Sequence, residues 1–347
     1  MNLANQTLQP GADALNKSYA PKTKKSPPSF EVAPGVKGLR ILFVNVFFVS
    51  TTDRQDGPWV LIDAGLVNSN TRIMKEAEKL FGRGSKPEAI LLTHGHFDHV
   101  GALHQLAVDW NVPVYAHLLE LPYLTGRSDY PPPDPSVGGG AMAWLSWVYP
   151  NQSIDLNDRV QPLYAGGEVP SLPDWRWMHT PGHAPGHVSF FRESDRTLLA
   201  GDAFVNTKQE SFLAVVNQRP EVHGPPMYFT PNWRLARQSV RDLADLKPET
   251  AATGHGPVLR GPSMRSQLED LAEYFDETAV PKQGRYVDQP AQVDEQGIVT
   301  YVPPAAPNPA PKIALGVGVG LLVGAFLFSY ARSRREKKSA AYGRFSR

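Results

Sequence analysis

The sequence predicts a layered α/β domain followed by a single C-terminal transmembrane helix. Three observations predict it. Apolar strand-like runs alternate with amphipathic helical stretches between residues 39 and 116, the pattern of βαβ units. Short strands separated by turns follow from residue 154. An 18-residue stretch without a charge, "IALGVGVGLLVGAFLFSY", runs from 313 to 330, the lower edge of a membrane-spanning length.

Each element follows from its local pattern. "LRILFVNVFFVS" (39–50) reads as a buried strand and "WVLIDAG" (59–65) as a second, with "TDRQDGP" as the hairpin turn between them. In "TRIMKEAEKLFG" (71–82) the apolar Ile73, Met74, Ala77, Leu80 and Phe81 fall at helical spacing, closed by Gly82. "AILLT" is a strand, "GALHQLAVDW" a helix and "VPVYAH" a strand. Residues 118–150 are Pro- and Gly-rich at their centre and aromatic at their end, with Trp144, Trp147 and Tyr149. So long a connection suggests a packed cap over the site. "WRWMHT", "HVSFFRES" and "RTLLAGD" predict an antiparallel β region. Helices are expected over about 232–246 and 263–278, with the short strand "TAATGH" between them.

Composition bounds the rest. The chain has 347 residues, of which 41% are hydrophobic and 20% charged, enough to bury a sizeable core. The formal net charge of +1 gives no support to nucleic acid as a partner, which usually calls for a basic excess. With no cysteine, disulfides and thiolate chemistry are excluded, and any metal must be held by nitrogen and oxygen. Residues 1–36 have no signal-peptide pattern and read as a mobile N-terminal arm. Residues 37–280 form the main domain, and 281–312 a Pro-rich stalk in which "AQVDEQGIVTYVP" can form a hairpin. Residues 313–330 form the membrane span, and 331–347 a basic tail with Arg332, Arg334, Arg335, Lys337 and Lys338. Gly316, Gly320 and Gly324 would share one helix face, a seam suited to a homodimer.

The chemistry gathers where apolar runs stop. "VLID" ends on Asp63, "AILLTH" on His94, "TLLAGD" on Asp202 and "TAATGH" on His255, while "WRWMHTPGH" reaches His183. Five strand-like runs with His or Asp at their C-terminal edges place those side chains at one rim if the strands share a core. In "THGHFDHVGA", His94, His96 and Asp98 alternate and would project to one side of an extended segment. His99 would join them if the chain turned into a helix after Asp98. Imidazole and carboxylate suit zinc, iron or manganese. The set exceeds what one tetrahedral ion can use, so two ions are the natural count.

These motifs resemble those of the metallo-β-lactamase superfamily. "THGHFDHVGA" matches its H-x-H-x-D-H signature, "HTPGHAPGH" its second motif, "LLAGDAF" its bridging aspartate and "TGHGP" its last histidine. They occur in the family's order across about two-thirds of the chain. The resemblance implies a four-layer αββα sandwich. It implies a first metal on His94, His96 and His183, a second on Asp98, His99 and His255, and Asp202 bridging them. Asp63 would orient a histidine by hydrogen bonding. His179 and His187 would support the loop and start a strand, and His223 is a loop histidine. The metals, in the first instance Zn2+ with iron or manganese as alternatives, would supply a hydroxide for hydrolysis, and Asp98 would accept or relay a proton.

Within that family the aromatic cap and "PPMYFTP" (225–231) suggest a small-molecule substrate with an apolar portion, cleaved at an ester, lactone or related acyl bond. A glyoxalase II-like thioesterase is an alternative, although Gly101 is followed here by Ala102 and not by a second glycine. Phosphodiester and sulfate-ester hydrolysis are further alternatives. A metal-binding membrane protein without catalysis fits seven ligands poorly, because closed structural sites use four. The expected location is a membrane, through a single-pass C-terminal anchor with the catalytic domain on the cytoplasmic side.

Overall fold

A computed structural model describes residues 29–50 and 57–306. Two sheets stand at the centre. The first has seven strands in chain order: β1 (Ser29–Ala33), β2 (Val36–Ile41), β3 (Val44–Ser50), β4 (Trp59–Ile62), β5 (Ile90–Leu91), β6 (Val114–Ala116) and β7 (Val160–Pro162). β1 to β4 pair antiparallel and β4 to β7 parallel. The second sheet has the order β12-β11-β10-β9-β8, built from β8 (Trp175–His179), β9 (Val188–Arg192), β10 (Thr197–Leu199), β11 (Thr250–Ala252) and β12 (Leu259–Arg260). β13 (Gln292–Val293) and β14 (Val299–Tyr301) make a separate hairpin. The helices among the described residues are α1 (Asn70–Phe81), α2 (Phe97–Val100), α3 (Leu103–Trp110), α4 (Leu121–Leu124), α5 (Ala141–Trp144), α6 (Phe212–Asn217), α7 (Trp233–Asp245), α8 (Gly261–Glu273) and α9 (Phe275–Thr278).

Strand periodicity explains the layering. Successive side chains point to opposite faces. In β3 and β4, Val46, Phe48, Trp59 and Leu61 face α1 and α3, where they pack with Ile73, Ala77, Leu103 and Leu106. Phe47, Val49, Val60 and Ile62 face the other way, against Trp175, Val188, Phe190 and Leu199 of the second sheet. The outer face of that sheet, with Phe191, Leu198 and Ala251, is covered by Ala236, Val240 and Leu243 of α7 and by Met264 and Leu268 of α8. The order is helix, sheet, sheet, helix, the αββα sandwich.

Several expectations need correction. No helix among the described residues is long and apolar enough to cross a membrane, and the longest, α7 and α8, have 13 residues each. The membrane span, the single-pass anchor and the membrane location drawn from it are therefore not upheld, and the fold class that the described residues support is the sandwich. Residues 313–330, with the glycine face at 316, 320 and 324, lie outside the described residues, as do the basic tail and the turn at 51–56. The expected single strand over 39–50 belongs to two strands, β2 and β3, because the chain reverses at Leu42, which has a φ of 58°. The expected antiparallel region is present as β8, β9 and β10, and β11 extends it in parallel beside β10, since α7 lies between them as a crossover. β1 falls inside the expected N-terminal arm, paired with β2 through partners such as Ser29 and Leu39, and it buries Val32 and Ala33. In the segment expected as a stalk, the β13–β14 hairpin rests on the domain through a hydrogen bond from the Tyr123 hydroxyl to the Gly297 carbonyl (2.5 Å).

Trp59 pins the first sheet to its helices. Its ring stacks on Phe81 at 4.6 Å and 7° and meets Trp110 edge-on at 5.8 Å. Its Nε1–H donates to Ser85 Oγ (2.8 Å). Trp59→Ala is expected to cost about 3–5 kcal/mol, measured as a lower urea midpoint with an unchanged transition slope.

Candidate metal centre

The rim between the two sheets collects the residues marked by the sequence. β4 ends at Ile62, and Asp63 follows with a φ of 61°. Its carboxylate turns back across β5: Oδ1 accepts the Thr93 backbone N–H (2.8 Å), and Oδ2 accepts the Thr93 hydroxyl (2.9 Å) and His99 Nδ1–H (2.8 Å). His94 leaves the end of β5. His96 caps α2, which starts at Phe97, so Asp98 and His99 share one helical turn. The extended alternation expected through Asp98 therefore stops at His96. The earlier turn directs Asp98 and His99 toward a different neighbour from His94 and His96.

Gly101 lets this turn dock on the end of β4. Its N–H donates to the Gly65 carbonyl (2.7 Å), and a Cβ there would lie 2.2 Å from Val67 N. His183 and Asp202 come from the loops after β8 and β10, and His255 from the loop after β11. All seven candidate ligands are buried.

Their donor atoms fall in two groups. His96 Nδ1 lies 2.9 Å from His183 Nε2, which lies 3.2 Å from His94 Nε2. His94, His96 and His183 thus offer three nitrogens to one point, and Asp98, His99 and His255 form a second cluster of ligand atoms. Asp202 stands between them: its Oδ2 is 3.6 Å from His183 Nε2, 3.7 Å from His99 Nε2 and 3.1 Å from His255 Nε2.

Hydrogen bonds on the far side of several rings set which nitrogen faces inward. His94 Nδ1 lies 3.0 Å from Thr93 Oγ1, His99 Nδ1 bonds Asp63, and His255 Nδ1 donates to the Phe43 carbonyl (2.9 Å). Two buried atoms of the cluster, His99 Nε2 and Asp202 Oδ1, have no hydrogen-bond partner. Orphaned buried donors and acceptors are costly, and a cation shared by these nitrogens and oxygens would satisfy them. The donor set suits a divalent ion of the zinc, iron or manganese type.

Electrostatics divide the centre. Burial, reinforced by neighbouring imidazoles, holds His94 and His183 well below the usual histidine range and lowers His96 to about 3. Neutral imidazole is the form that ligates metal. Burial also opposes charge on His99, but Asp63, Asp202 and Asp98 outweigh it and hold its pKa well above the ordinary value. Those carboxylates create a field that favours positive charge at that cluster.

The remaining histidines have other roles. His187, lowered to about 3 by burial, accepts the Asp202 backbone N–H at Nε2 (2.9 Å) and meets Thr180 Oγ1 at Nδ1 (2.9 Å). It props the Asp202 loop. His179 stacks on His117 at 4.2 Å and 10° and bonds the Pro185 carbonyl. His223 lies beside Glu210, 4.0 Å from Nε2 to carboxylate.

A pocket opens onto the cluster, lined by His96, Asp98, His183, Asp202 and His255 and by Phe43, Phe97, Met142, Tyr149, Tyr228 and Phe229. Tyr149 is the aromatic residue of the expected cap that reaches it, while Trp147 is 54% exposed. Phe43 and Glu120 were not marked by sequence reasoning. Phe43 belongs to an apolar run, and Glu120 lies in an irregular segment without periodicity. Glu120 is fully buried, and burial pushes its carboxyl up to about 7.

The layered fold and its buried histidine–aspartate rim define a metal-binding αββα sandwich. The profile of the metallo-beta-lactamase superfamily matches residues 39–255, and the chain belongs to that superfamily. The probable metallo-hydrolase YflN of Bacillus subtilis (strain 168) is 46% identical over 259 residues, 74% of this chain and 98% of YflN. Another probable metallo-hydrolase of that organism, YybB, is 32% identical over 170 residues, 49% of this chain and 64% of YybB. Among solved structures, TTHA1623 in a di-iron-bound form aligns at 27% identity and a TM-score of 0.43, covering 70% of this chain and 96% of that one. The chain is a metallo-hydrolase.

Asparagine tolerates positive φ well, so Asp63→Asn should keep the backbone while setting an amide N–H against one of three donors. The expected outcome is metal affinity about 10–100-fold weaker, measured by chelator competition, with the far-UV circular dichroism unchanged.

Proposed function

We propose that the protein is a dinuclear metallo-hydrolase of ester, lactone or related acyl bonds. One observation carries this reading. Two clusters of three candidate ligands, joined through Asp202, lie at a pocket whose other walls are apolar and mostly aromatic. His94, His96 and His183 would hold one ion and Asp98, His99 and His255 the other, with Zn2+ the first choice and iron or manganese alternatives. Bound there, the ions would supply a water ionised at neutral pH and polarise the carbonyl under attack.

The chain's own residues do the rest. Asp63, Thr93 and the Phe43 carbonyl fix ring orientation, so the inward nitrogens stand ready before substrate arrives. Asp98 borders the pocket, where its carboxylate can take the proton released on attack and pass it to the leaving group. Phe97, Tyr149, Tyr228 and Phe229 exclude water and offer an apolar surface to the acyl portion. No lysine or arginine is among the described residues lining the pocket. A phosphodiester or sulfate ester would therefore find no fixed side-chain cation for its spare oxygens, which favours the acyl reading.

Purified full-length protein should hold two metal equivalents by elemental analysis. It should hydrolyse aryl esters or lactones with kcat/KM well above that for bis(4-nitrophenyl) phosphate. The opposite preference would overturn the acyl assignment. Asp98→Ala should reduce the metal content to one equivalent and abolish turnover with the fold intact, measured by metal analysis, kinetics and circular dichroism.

A further inference from the structure

We propose that Glu120 is a positioning residue that holds the loops bearing His94, His96 and His183 at the spacing one ion requires. This rests on the assignment of those three histidines to a single ion.

The two loops belong to different sheets. Residues 94–96 follow β5 of the first sheet, and residues 180–187 connect β8 and β9 of the second. At their base, the backbone bond from Val188 N to Thr93 O (2.9 Å) ties them together. Nearer the ligands the tie is Glu120. Its Oε2 accepts the Gly95 N–H (2.9 Å) and the Tyr130 hydroxyl, and its Oε1 accepts the Gly186 N–H (2.7 Å). Gly95 lies between two of the ligands, and Gly186 lies three residues after the third. One carboxylate thus spans the loops of all three.

The surroundings are shaped for this contact. A Cβ on Gly95 would lie 2.7 Å from Tyr130 Oη, and one on Gly186 would lie 2.8 Å from Glu120 Cγ. Both positions need glycine for the clamp to approach. Tyr130 completes it by donating to Glu120 while accepting from Gly95 (2.8 Å) and packing its ring 4.5 Å from that of His96.

A merely structural acid does not account for these partners. Burying a carboxylate is costly, and an apolar side chain would fill the space more cheaply. The need lies with His183. Unlike His94, His99 and His255, it has no hydrogen-bond partner on its outward nitrogen, Nδ1. Its position is set by its loop, and Glu120 holds that loop.

The test is competition of cobalt(II) against a chromogenic chelator on metal-stripped full-length protein. His183→Ala and Asp98→Ala serve as references that identify which equivalent belongs to which cluster. Glu120→Gln turns an amide N–H toward one of the three donors. It should weaken the His183-dependent equivalent by about tenfold or more, alter its visible absorption, and leave the Asp98-dependent equivalent unchanged. Tyr130→Phe removes one bond of the clamp while keeping the ring. It should weaken the same equivalent by less, and it carries the test if Glu120→Gln does not fold. Equal weakening of both equivalents, weakening of the Asp98-dependent one alone, or no change would overturn the proposal. If His183→Ala itself leaves both equivalents in place, the metal assignment fails, and not the clamp alone.

Discussion

The structure turns on the desolvation of one polar cluster. Five histidines and two aspartates, each buried, converge where the edges of two apolar sheets meet. Their side chains are buried, so unpaired atoms among them are costly unless satisfied from within. The protein meets this requirement in two ways. On the outward side, Thr93, Asp63 and the Phe43 carbonyl engage ring nitrogens. Within the cluster, His99 Nε2 and Asp202 Oδ1 have no hydrogen-bond partner, and a shared cation would satisfy such atoms. Strand lengths, the early start of α2 and the glycine at 101 are all consistent with delivering side chains to that point.

The two halves of the molecule contribute unequally to it. The first sheet and α2 bring four candidate ligands within six residues, and the second sheet brings one from each of three loops. A compact helical turn can set Asp98 and His99 by local geometry. Separate loops cannot, and each has its own support: His187 beneath Asp202, the Phe43 carbonyl behind His255, and the Gly186 backbone near His183.

Much of this could be read from the sequence because the signal was local. Apolar runs ending in His or Asp mark strand ends, and the seven candidate ligands are brought together at the rim. What escaped was set by contacts between residues far apart in the chain. Glu120 bonds Gly95 and Gly186, 25 and 66 residues away, through backbone groups that leave no trace in residue type. The reversal at Leu42 escaped because an exposed leucine within an apolar run gives no turn signal. The membrane span expected at 313–330 from its uncharged length and its flanks falls outside the described residues, and no helix among the described residues is long and apolar enough to cross a membrane.

The aromatic wall of the pocket has a consequence for how its selectivity can change. Phe97, Tyr149, Tyr228 and Phe229 come from three separated segments, yet they rest on one another, with centroids 5.3–6.2 Å apart in the contacting pairs. Phe229 also stacks on His96 at 4.6 Å. Side chains that touch respond jointly to substitution. Trimming one ring to widen the pocket would shift its neighbours and, through Phe229, the candidate ligand His96. New selectivity in this fold would therefore arise from compensating pairs of changes, each of little use without the other.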